Sequence, residues 1–183
     1  MALRVRFRQR VANVEDDDIQ VLSGDAAYSV ILDARIVAIR WDVVDWGVVF
    51  DLDCPLSEAS DAPYARGWLA FVGLSDLSLP LKSARVPQGL WSTTELSVEH
   101  AEGDLFDFGF RVQLLDFAPD GSFHASPLDI INVRAQGVVG LRTTRHICVG
   151  GARLSFDQRQ ALGSDETMRA ALARGMRRVH REK

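Results

Sequence analysis

The run LFDFGFRVQLL, residues 105–115, constrains the fold most strongly. Phe106, Phe108, Phe110, Val112 and Leu114 share one parity, and Asp107, Gly109, Arg111 and Gln113 share the other. A period of two is the pleat of a β-strand, with one face toward a core and the other toward water. Arg111 is the only basic residue beside the phenylalanines, so the stripe reads as core and not as a base-stacking platform.

Further strands are read at Leu3–Arg8, Tyr28–Trp41, Trp46–Cys54, Gly67–Gly73, Ser92–His100, Asp129–Ala135 and Val138–Val149. Pro80 demotes the Leu77–Leu79–Leu81 segment to an edge. Pro55 ends the Trp46–Cys54 strand, and Leu56–Ala65, with its prolines, serines and acids, reads as loop. Gly137 and Gly140 mark a bulge or a close approach of backbone. After Gly150-Gly151 the period changes. Ser155 followed by Gln158 forms a capping box that opens a helix, and Gly163 closes it. Ser164-Asp165-Glu166 opens a second helix with an apolar stripe of Met168, Leu172, Met176 and Val179. The expected fold is mainly β (α+β). It is an antiparallel β-sandwich or bent barrel-like sheet of about eight strands with two short C-terminal helices. One domain is expected over 1–183, with a β-rich body at 1–150 and a helical cap at 151–183.

The segment WDVVDWGVVFDLDCP, 41–55, crowds two tryptophans and four aspartates together. Read as a hairpin with DVVD at its tip, it pairs Trp41 with Trp46, Ile39 with Val48, Val37 with Phe50 and Arg35 with Leu52. That register puts the apolar set, both tryptophans included, on one face. Asp51 and Asp53 fall on the other, where strand aspartates are expected to meet solvent. A two-residue loop would force Val43 and Val44 to positive φ, so a wider turn is expected.

The net charge of −4 argues against a nucleic-acid binder, although it leaves room for a local basic patch. Cys54 and Cys148, far apart and without a CxxC, are expected to be reduced, buried thiols. No secretory leader is read in MALRVRFRQRV and no membrane span in the chain, so the expected address is the cytoplasm. His100, His124, His146 and His180 lack metal-ligand spacing, and the Walker, GxGxxG and GxSxG motifs do not occur. No catalytic residue, metal or cofactor is therefore expected.

The expected function is non-catalytic recognition of a protein partner, for which a basic one is a candidate, as a bacterial immunity or accessory protein would perform it. The alternative is a small-molecule-binding β barrel or hydrolase-type enzyme with its site in the barrel mouth. The candidate contact residues are Asp42, Val43, Val44 and Asp45 at the hairpin tip, Asp51 and Asp53 on the strand, and Arg134 and Arg142 in the run RAQGVVGLRTTR. Aspartates so spaced could also hold a cation or share a proton, and the glycine-flanked arginines could bind an anion. The sequence is silent on oligomeric state.

Overall fold

The computed structural model describes residues 18–23, 25–28, 30–31, 34–42, 47–57, 62–80, 90–117, 123–149 and 154–179. The strands are β1 (Ile19–Ser23), β2 (Arg35–Asp42), β3 (Gly47–Pro55), β4 (Pro63–Val72), β5 (Asp76–Ser78), β6 (Leu90–His100), β7 (Phe106–Phe117), β8 (Phe123–Ala125), β9 (Asp129–Ala135), β10 (Gly137–Thr143) and β11 (Ile147–Cys148). Helix α1 spans Asp25–Tyr28, α2 Phe156–Leu162 and α3 Asp165–Val179. The predicted Leu3–Arg8 strand lies outside the described residues.

The strands join antiparallel in the order β1-β10-β4-β3-β2-β6-β7-β9-β5, with β11 beside β4 and β8 beside β7. The path folds into two facing layers, β1-β10-β4-β3-β2 and β6-β7-β9-β5. They meet where β2 pairs β6 at Arg35–Ser92 and Ile36–Trp91, and where the chain passes from β9 into β10 at Gln136. The sheet does not close. This is the mainly antiparallel, bent sandwich-like architecture that the alternating runs imply, with the two C-terminal helices in place.

The interior holds the phenylalanine stripe. Phe110 packs on Phe50 with ring centroids 5.5 Å apart, and Phe108 on Phe71 at 5.4 Å. Leu52, Leu69, Ile131 and Val133 fill the remainder of this core. Edge-on and tilted ring pairs of this kind add about 0.5–1.5 kcal/mol each beyond their burial. Helix α1 lies against the inner side of layer one. A side chain at Gly140 would meet the Ala27 backbone at 3.0 Å, so the glycine permits the close approach expected there. At Gly137 a side chain would meet open space.

Several expectations are corrected. Tyr28 ends a short helix, and β2 begins only at Arg35. Pro63 to Ala65 belong to β4 rather than to a loop, and the Val138–Val149 strand divides into β10 and β11. The hairpin register also differs. Trp41 faces Val48, Ile39 faces Phe50 and Ile36 faces Leu52, with an irregularity between Ile36 and Ala38. A regular ladder cannot put residues three apart on one face; the bulge at Val37 does so, bringing both Ile36 and Ile39 to the core. The last pair, Asp42–Gly47, leaves 43–46 as the connection, wider than a two-residue loop. Trp41 lies on the inner parity but is 63% exposed, because layer two pairs with β2 only at Arg35 and Ile36.

β3 and β4 are buried on both faces. The second face is covered by the helical segment: Met168, Ala171 and Leu172 of α3 pack on Val49, Trp68, Ala70 and Leu141. Leu154 and Leu162 cluster with Tyr64 and Val149. The capping box at α2 is present, with Ser155 Oγ accepting from Gln158 N–H and Gln158 Oε1 accepting from Ser155 N–H. Gly163 has an extended backbone, and the space beside it is taken by Trp68, which a Cβ would meet at 3.2 Å.

Candidate functional site

Asp51 and Asp53 are not on the surface. They stand on the helix-covered face of β3, Asp51 opposite Trp68 and Asp53 opposite Arg66, at 7% and 0% exposure respectively. The expectation that they meet solvent fails because two helices lie over them. Burying a carboxylate is costly unless it is paired, and each is paired. Arg66 donates to Asp51 through Nε at 3.3 Å and Nη2 at 3.1 Å. Arg159 of α2 grips Asp53 through Nε at 2.8 Å and Nη2 at 2.7 Å. The Leu154 N–H adds a third bond to Asp53 at 3.0 Å.

The network continues into the helices. Arg66 Nη2 also donates to Asp165 at 3.0 Å, and its Nη1 donates to the carbonyls of Arg159 and Gly163 at the end of α2. Its guanidinium lies over the Trp68 ring, 4.7 Å from the centroid. Arg40 pairs with both Asp51 and Asp165. Three acids, Asp51, Asp53 and Asp165, thus balance three arginines, Arg40, Arg66 and Arg159. Burial pushes the Asp165 carboxyl upward, but the hydrogen bond from Arg40 and the charges of Arg40 and Arg66 outweigh it, and its pKa is lowered. For Arg159 burial lowers the pKa, and the bond to Asp53 outweighs it, so the net shift is upward. Bidentate guanidinium–carboxylate pairing supplies strong, geometrically specific hydrogen bonds between the strands and the helices. The arrangement suits a clamp between sheet and helices better than an acid–base dyad, which requires a carboxylate with a shareable proton.

Layer two is the opposite case. Its outer face carries no helix among the described residues, and its side chains form a grid across four strands. One row runs Glu99, Asp107, Arg134, Asp76, the next Ser97, Gly109, Asn132, Ser78, and the third Glu95, Arg111, Ile130. Asp107 accepts from Arg134 at 2.7 and 2.9 Å, and this bond lowers the Asp107 pKa. Asp76 and Glu102 add their fields at Arg134. Ile130, 49% exposed, and Leu128, 55% exposed, lie at the far end of the face.

The predicted contact residues are therefore dispersed. Arg134 is exposed on layer two. Arg142 faces the interior side of β10 opposite Gly67, partly buried. The nearby Arg145 pairs with Asp18 at 2.9 Å, so the arginines of the 134–145 run do not converge on an anion. Asp42 is placed only by its backbone, and Val43, Val44 and Asp45 lie outside the described residues. Both cysteines are free, but only Cys54 is buried. Desolvation, with the Asp53 charge second, pushes its thiol up to about 12, which makes it inert. Cys148 is exposed on β11, contrary to expectation, because its short strand lies at the rim.

Sequence reasoning missed Arg66, Arg40, Arg159 and Asp165. The signal was an arginine inside the apolar run PYARGWLAFV, which needs a buried acid beside it. A surface depression of about 200 Å³ lies beside the α2–α3 turn, with Asp18, Arg145, Ser164 and Thr167 in its lining. Among the described residues no set of three or more His, Cys, Asp or Glu is placed to hold a metal ion. No helix of the described residues is long and apolar enough to cross a membrane. No family model matches the chain, and neither a curated protein nor a solved structure is detectably similar to it.

Proposed function

We propose that this chain is a non-catalytic interaction protein that recognises a basic protein partner through the outer face of β7, β9 and β5. The observation that carries this reading is the set of carboxylates Asp76, Glu102 and Asp107 around the guanidinium of Arg134 on a sheet face that no helix of the described residues covers. Excess negative charge on such a face steers a basic partner and discriminates against acidic ones. Ile130 and Leu128 supply an apolar anchor beside it. An immunity or accessory protein acting in the bacterial cytoplasm is the form this reading takes. The competing barrel-enzyme reading calls for a pocket lined by groups such as Arg35, Arg134 or His146. Arg134 and His146 are instead exposed, the Arg35 guanidinium lies 5.3 Å from the Tyr64 ring centroid, and the interior is filled by phenylalanines.

The test is capture from a lysate with the intact chain and with an Asp76→Lys/Glu102→Lys/Asp107→Lys variant. A basic protein retained by the first and lost by the second is the expected result. Equal retention by both, or no specific retention, would rule the reading out.

A further inference from the structure

Arg35 begins β2 on the helix-covered side of layer one, and its cross-strand neighbour there is Asp53. Asp53 is already saturated, with Arg159 on both oxygens and the Leu154 N–H on one of them. The acids of the clamp are thus taken by Arg40, Arg66 and Arg159, and among the described residues Arg35 forms no ion pair. Its Nη1 is buried and has no hydrogen-bond partner. A guanidinium cannot shed its charge, and a buried donor left unpaired is costly. What holds Arg35 is the Tyr64 ring, whose centroid lies 5.3 Å from the guanidinium carbon. That contact uses the flat side of the guanidinium. The N–H fork around its rim is left over, and the stacking fixes its direction.

We propose that Arg35 is a recognition site for the carboxylate of a bound ligand. One planar fork with one charge matches a carboxylate, which accepts two parallel N–H bonds at once. A phosphoryl dianion would bring a second negative charge toward Asp53 and fits less well. Arg35 is only partly buried, so the ligand arrives from solvent and needs no interior pocket.

The same end of layer one exposes apolar surface. Leu56 follows the last residue of β3 and is 44% exposed, and Phe156 opens α2 at 71% exposure. Helix α2 starts at this end, because Leu154 bonds Asp53 whereas Asp165, at the start of α3, pairs with Arg40 farther along β2. An acid with an apolar body therefore finds a charge partner and apolar surface together. A peptide C-terminus that ends in an apolar residue is one source of this chemistry, and a small organic acid is the other. The proposal does not depend on the basic-partner reading, which rests on β7, β9 and β5.

The test follows arginine Nε–H and backbone amide resonances of the full chain by NMR at constant ionic strength. The probes are sodium acetate, acetyl-glycyl-leucine, the C-terminal amide of that peptide, and inorganic phosphate. Acetate and the free peptide should shift the Arg35 Nε–H and the amides of Tyr64 and Leu154 saturably, and the peptide amide should not. Saturation by the peptide at about tenfold lower concentration than acetate assigns the site to chain termini, and equal saturation assigns it to small acids. Arg35→Gln should remove the response at Tyr64 and Leu154 while leaving the denaturation midpoint unchanged, since no acid is stranded. Arg35→Lys, which keeps the charge and loses the fork, should weaken acetate binding by about tenfold. No saturable shift with either carboxylate, an undiminished response in both variants, or tighter saturation by phosphate than by acetate would each overturn the proposal.

Discussion

The two layers each carry an aspartate–arginine pair of the same bidentate chemistry, and the pairs do different work. Arg66 and Asp51 have side chains 3% and 10% exposed beneath the C-terminal helices, whereas Arg134 and Asp107 are 47% and 44% exposed on the bare face. Under the helices water cannot replace a lost partner, so pairing there determines whether the cap can lie down at all. On the face that no described helix covers, water screens each charge, and the pair contributes little to stability. The residues differ little between the layers. Coverage by α2 and α3 converts one ion pair into a structural clamp and leaves the other as surface chemistry.

The largest effect is expected from breaking the clamp. Arg66→Ala would leave Asp51 and Asp165 with Arg40 alone and release the α2 carbonyls, at a cost of about 3–5 kcal/mol in chemical denaturation. A cost below about 1 kcal/mol would mean that the cap does not need its arginine. The apolar part of the same interface should come next. Leu172→Ala, in the fully buried patch on β1, β4 and β10, should cost about 2–4 kcal/mol in the same assay. A surface position such as Ile130→Ala on the bare layer should leave stability nearly unchanged.

Acid provides a smaller contrast. Asp165 and Asp107 both have folded pKa values below the ordinary carboxylate value. The stability each contributes is therefore present above the unfolded pKa of about 3.9 and is lost as pH falls through the lower folded value. Thermal midpoints measured from neutral pH down to about pH 3 should fall less steeply in Asp165→Asn than in the wild-type chain. The same change at Asp107, which has Arg134 alone where Asp165 has both Arg40 and Arg66, should flatten the profile less. Equal flattening by the two would show that the second arginine adds nothing to the pairing of Asp165.

Much of the fold was legible because alternation is a one-dimensional signal. The Phe106–Phe108–Phe110 stripe, β9 and the Ser155–Gln158 capping box needed no tertiary information. The Ile36–Ile39 bulge did, since a regular ladder satisfies the local pattern equally well and only packing against layer two selects the irregular one. The site was legible in part. The parity of Asp51 and Asp53 was correct, but whether that parity faces water depends on helices more than 100 residues later, as Asp53 and Arg159 are separated by 106 positions. No local pattern encodes such a meeting. Arg66 inside an apolar strand was its one visible trace.

The most direct measurement is a pair of double-mutant cycles on unfolding free energy, one for Asp51–Arg66 and one for Asp107–Arg134, with alanine at each position. The account predicts a coupling of about 1.5 kcal/mol or more for the covered pair and a clearly smaller one for the exposed pair. Couplings of equal size, or a larger one on the bare layer, would contradict it.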